Sequence, residues 1–228
     1  MRHTSRALRM FILVAFCSLT AAAQTATMNR EQYLSWTAKQ ATDIGKKWRV
    51  AGRIGWELTF LRLTSKTYFY ELRATLMSPE AIRAAARLEQ LRRHLTDAET
   101  RELVITAEKT DGLVVFIEIN PREGSGVIPL DWRSTLQPKG APEGSPLAIA
   151  GTSVPALRHV RALTRVGPRD YAYEVFWVVF PMKDHQGKPI WTTAPNEIEL
   201  VVGIYEKQGR VSWFVSDALR ERLMNLKQ

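Results

Sequence analysis

The chain has 228 residues, with 32 Lys+Arg against 23 Asp+Glu, four histidines and one cysteine. Its formal charge of +9 becomes +6 once Arg2, Arg6 and Arg9 are set aside with an N-terminal leader, and reads as solubilising charge spread along the chain. Cys17 also lies in that leader, so disulfides, thiol nucleophiles and thiolate metal sites are excluded from the remainder.

The leader carries a basic n-region, a short apolar run from Met10 to Leu19, and an Ala-x-Ala cleavage site ending at Ala23. The run is about half the ~20 residues a membrane-spanning helix needs. Residues 1–23 therefore read as a cleaved secretory signal and not as a stable membrane anchor, which sends the protein to a periplasmic or extracellular location. That address argues against nucleic acid as a partner. Residues 24–228 suffice for one β-sandwich-like domain held by its core alone, burying about 70% of its surface.

Asn29, with Gln32 three residues on, predicts a helix start, and Tyr33, Trp36, Gln40, Ile44 and Trp48 give a loose apolar stripe to about Arg49. Arg53 to Leu63 and Thr67 to Leu76 have strand character, joined by a turn at Thr64-Ser65-Lys66. In the second run Tyr70, Leu72, Ala74 and Leu76 share one face. Ser78-Pro79-Glu80 is a strong helix start, and Ala81, Ala84, Leu88, Leu91 and Leu95 form its expected inner stripe. Thr96 to Glu99 is a capping box opening a second helix, with Thr100, Leu103, Val104 and Ala107 inward. The arginines of this pair could suggest a DNA-binding motif, but the leader and the Glu89–Arg93 spacing favour a solvated helical hairpin.

Leu113 to Ile119 is apolar on both faces. Residues 120–132 form an unusual Gly- and Pro-bearing loop, and 137–155 read as an irregular connection. Ala156 to Val166 alternates weakly, as a strand would. Tyr171 to Met182 is the richest aromatic and β-branched run, and it predicts a central strand needing cover on both sides. Glu174 is its lone acid, so it requires a partner or a place at a sheet margin. Beyond a turn at Asp184 to Gly187 come a short return strand, Lys188 to Thr192, and a hairpin, Ile198 to Tyr205 and Arg210 to Val215. A last helix is capped by Ser216-Asp217, with Leu219, Leu223 and Met224 inward.

The sum is α+β: an antiparallel β-rich two-layer sandwich of immunoglobulin-like outline, with a helical hairpin inserted at about 79–109 and terminal helices, the last at about 216–225. Strands apolar on both faces ask for helical cover on one sheet.

For chemistry the sequence offers little. His94, His159 and His185 have no ligand spacing, so no metal site is expected. Gly124-Ser125-Gly126 lacks the Gly-x-Ser-x-Gly of a nucleophile elbow, and no phosphate loop occurs, so no cofactor is implied. The loop following Asn120 is the candidate binding surface. Arg122, Glu123, Ser125 and Asp131 supply polar contacts there, and Trp132 an aromatic platform or a core anchor. The expectation is an exported, non-catalytic module binding an envelope polymer or a partner protein. The alternative is a carboxylate-dependent hydrolase of an envelope glycan, resting on Glu118, Glu123 and Asp131 around one loop.

Overall fold

The computed structural model describes residues 31–55, 69–121, 127–164, 166 and 170–225. Residues 1–23, expected to be a leader, Asn29, the expected turn at Thr64 to Lys66, and the loop residues Arg122, Glu123 and Ser125 lie outside them.

The helices start where side chains can satisfy the free backbone amides of a first turn. Helix α1, Ala38–Lys47, is opened by a Thr37/Gln40 capping box; Gln32–Ser35 is a separate 3-10 turn, so the helix begins later than Asn29 suggests. Helix α2, Pro79–Arg93, is capped by Ser78, and α3, Asp97–Glu108, by the Thr96/Glu99 box. Both caps agree with the sequence. Of the expected inner stripe of α2, Ala81 and Ala84 are buried and Leu88 packs beside them, whereas Leu91 is 37% exposed; Ile82, Ala85 and Ala86 are buried as well. Arg92 and Arg93 flank Glu89 at 2.6 and 3.4 Å, and Arg87 donates to the Trp36 carbonyl. Helix α4 is Asp217–Asn225, with Leu219 and Leu223 inside and Met224 exposed.

Among the described residues nine strands make two antiparallel sheets in a β-sandwich-like arrangement. They are β1 Arg49–Ile54, β2 Tyr70–Leu76, β3 Leu113–Pro121, β4 Arg133–Pro138, β5 Ile149–Ala150, β6 Thr152–Ser153, β7 Glu174–Phe180, β8 Glu197–Ile204 and β9 Lys207–Phe214. The first sheet runs β1-β2-β3-β7-β6 and the second β5-β4-β8-β9. Tyr70, Leu72, Ile117, Ile119 and Phe180 of the first sheet meet Leu136, Leu200, Val202 and Trp213 of the second in the main core. The other face of β3 and β7, including Val114, Phe116 and Trp177, packs under Ile82 of α2 and Val104 of α3. The expected helical cover is thus present.

Several expectations change. The central strand of the first sheet is β3, with seven of its nine residues buried, and not β7. β7 is flanked on its outer side by the two residues of β6, and Glu174 is exposed at its start. Its aromatic content signalled a strand, but its place in the sheet was set by which neighbours found it. β1 begins at Arg49, directly after α1, and earlier than Arg53. The hairpin of β8 and β9 turns on Tyr205-Glu206, a tighter turn than expected. Ala156 to Val166 is not a strand: Pro155–His159 and Arg161–Leu163 are 3-10 turns. The return strand at Lys188 to Thr192 shrinks to one bridge, Lys183 to Pro189. β4 was missed because Leu136 alone gives it an apolar signal.

The sheets join along both edges. Residues 149–153 pass from β4 to β7 through Gly151, whose amide donates to the Ser134 carbonyl at 2.9 Å. A Cβ there would sit 2.5 Å from Ser134 Oγ, so only glycine fits the crossing. At the other edge β9 approaches β1 so closely that a Cβ on Gly209 would lie 2.5 Å from the Arg53 carbonyl oxygen.

Candidate functional site at the loop end

Strand register gathers one set of turns at a single end of the sandwich. Ile54 pairs with Tyr70 and Tyr70 with Pro121, so β1 ends, β2 begins and β3 ends together. Ile119 opposite Glu174 brings the start of β7 there, and Arg133 opposite Gly203 brings the start of β4 beside the β8–β9 turn. Residues 127–132 and 171–173 and the turn Tyr205-Glu206 therefore share this end.

Of the five sequence-derived site residues, the two described ones part company. Trp132 is half-buried against Phe176, ring centroids 4.8 Å apart, and closes the end of the core. Part of its ring packs on the core and part remains exposed. Asp131 is exposed. Arg122, Glu123 and Ser125 lie outside the described residues.

What the sequence reading missed is a set of exposed apolar side chains at the same end. Leu130 is fully exposed, and Val127, Tyr171 and Tyr205 are each at least 70% exposed. Tyr171, expected on the two-sided strand, stands in the turn before it. Tyr205 has a φ of 52°, in the left-handed region that bulky residues avoid. A short turn with φ > 0 normally takes Asn or Gly. An exposed tyrosine there serves neither packing nor backbone ease. A non-Gly residue in such a turn is the one signal the sequence carried.

Beneath these tips lies a polar cluster on the helix-side face of the first sheet. Glu71 accepts hydrogen bonds from the Tyr173 hydroxyl and from Asn120 Nδ2. The Arg73 guanidinium lies 4.0 Å from the Tyr173 ring centroid and pairs with Asp170 at 3.1 Å. Burial, followed by the bond to Glu71, pushes the Tyr173 hydroxyl up to about 12. It is a hydrogen-bond donor at neutral pH and not a nucleophile. Glu118 is fully buried and accepts from Arg49 Nε at 3.1 Å, with Nη2 at 2.9 Å. Both groups are committed to holding strands together.

Among the described residues no three His, Asp or Glu gather as a metal site, and no helix is long and apolar enough to cross a membrane. In comparisons with known proteins the chain matches no family model, no curated protein and no solved structure.

Proposed function

We propose that this is an exported, non-catalytic binding module, a sandwich of immunoglobulin-like outline whose loop end docks on an envelope component or a partner protein. The observation that carries the reading is the convergence of Val127, Leu130, Tyr171 and Tyr205, all strongly exposed, on one end of the fold. Exposed apolar side chains gathered together mark interaction surfaces, whereas scattered ones do not. Tyrosines supply rigid contact area at small entropic cost. The secretory leader supports an envelope or extracellular setting. The hydrolase alternative loses support at Glu118, because a fully buried carboxylate held by Arg49 is not free for proton transfer.

The chain from Gln24 contains no cysteine, so a Leu130→Cys variant takes one environment-sensitive fluorophore. Mixed with an isolated envelope fraction, the label at position 130 should shift to the blue, while the same label at Thr106→Cys on α3 should not. Adding Tyr205→Asn should weaken the response. No shift at position 130, or equal shifts at both positions, would overturn the reading. A Glu123→Gln variant that still binds but no longer turns over a glycan would favour the hydrolase instead.

A further inference from the structure

At the opposite end of the sandwich, α1 hands over to β1 and β9 hands over to α4. A groove of about 610 Å³ opens between them. Four aromatic residues line it, Trp36, Trp48, Trp213 and Phe214, together with Lys47 and Glu80. The aromatic wall is fixed from behind: Trp213 Nε1 donates to the Trp48 carbonyl at 2.8 Å, and the same carbonyl accepts from the Leu76 amide. Phe214 projects outward, 76% exposed. Glu80, in the first turn of α2, accepts at Oε1 from Ser216 Oγ at 2.7 Å. Its Oε2 is buried with no donor among the described residues. A buried acceptor in that state is costly until a donor from water or a ligand completes it.

We propose that this groove binds a neutral saccharide chain. Lys47 and Glu80 carry opposite charges, so the wall has no net charge to draw in a ligand of either sign. Sugar hydroxyls both donate and accept, so they serve the Glu80 carboxylate and the Lys47 ammonium alike. The C–H faces of pyranose rings are apolar and stack on aromatic faces, which the exposed Phe214 and the half-buried Trp36 provide beside the buried Trp48 and Trp213. The volume falls within the roughly 300–1,000 Å³ typical of ligand sites. The groove is open to solvent, so it accepts a chain and not just a single ring.

The test is a titration of the chain from Gln24 with cellotetraose and with the N-acetylglucosamine tetramer, followed by tryptophan fluorescence and by heat. Tetralysine and tetraglutamate are run in parallel. At least one tetrasaccharide should bind saturably and both peptides should fail. Phe214→Ala should weaken saccharide binding about tenfold, as loss of an aromatic contact residue does, with the melting temperature unchanged because that ring is exposed. Glu80→Gln should weaken it as well. Tyr205→Asn at the loop end should have no effect, so failure here leaves the loop-end reading standing and the reverse also holds. Silence toward all four probes, or binding of a charged peptide alone, overturns the proposal. So does saccharide binding indifferent to both groove variants.

Discussion

The two ends of the sandwich use the same residue types to opposite effect. At the groove end Trp48 and Trp213 are buried and joined by an indole-to-carbonyl hydrogen bond, and Glu80 ties α2 to the cap of α4. At the loop end Tyr171 and Tyr205 are strongly exposed while Trp132 packs inward on Phe176. Aromatic content therefore does not distinguish core from surface here. The difference lies in what each side chain meets. At the groove end helices stand over the sheet edges, whereas at the loop end the described turns have no helix above them. One end is rigid and concave. The other is a set of projecting tips over a buried polar network.

The largest expected effect lies at the ion pair between Arg49, the first residue of β1 at the groove end, and Glu118 of β3. Arg49→Met removes the ion-pair partner described for the fully buried Glu118, a change expected to cost about 3–5 kcal/mol in urea denaturation. A loss below about 1 kcal/mol would mean that water reaches Glu118. Next comes the seam of the two sheets. Gly209→Ala forces a methyl group against the Arg53 carbonyl and should cost about 1–3 kcal/mol by the same measurement.

Tyr173→Phe should cost about 1.5 kcal/mol near neutral pH, because Glu71 loses a hydrogen bond to a charged acceptor. It should also change the pH profile. The folded-state value of about 12 lies above the ordinary 10, so the contribution of Tyr173 is complete below about pH 10 and is lost as pH rises from there toward 12. The wild-type stability curve should fall across that window, and the variant curve should fall less. Identical alkaline limbs would remove the Tyr173–Glu71 bond from the account.

The smallest effect carries the clearest meaning. Tyr205→Asn relieves a left-handed backbone at an exposed site, so thermal stability should hold or rise by up to about 1 kcal/mol. Loss of stability would show that the Tyr205 ring supports the fold, and the projecting tips would lose one of their four members.

Much of this fold was legible where the physics is local. Ser78, Thr96 and Ser216 read as caps because a hydroxyl reaches an amide two or three residues on. Even Glu89 reaching Arg93 followed from helix geometry. β4 was not legible, since Leu136 is its one strongly apolar residue and its register comes from β8. The candidate site was legible only as a neighbourhood. Residues 127–132 of the loop after Asn120 lie at the exposed end, but nothing local in the sequence marks which role Trp132 takes or that Leu130 and Tyr205 stand exposed.

The sequence by itself determined the caps, the helical hairpin, the two-sided β3 and the alternation of β2, because these depend on residues within a turn or a pleat of one another. The tertiary structure alone decided that β3 and not β7 is central, and that the segment through Gly151 belongs to both sheets. It also decided which aromatics at each end are buried and which are exposed. Burial is a property of what arrives from elsewhere in the chain, and Trp48 and Trp213, 165 residues apart, meet only once both sheets have formed.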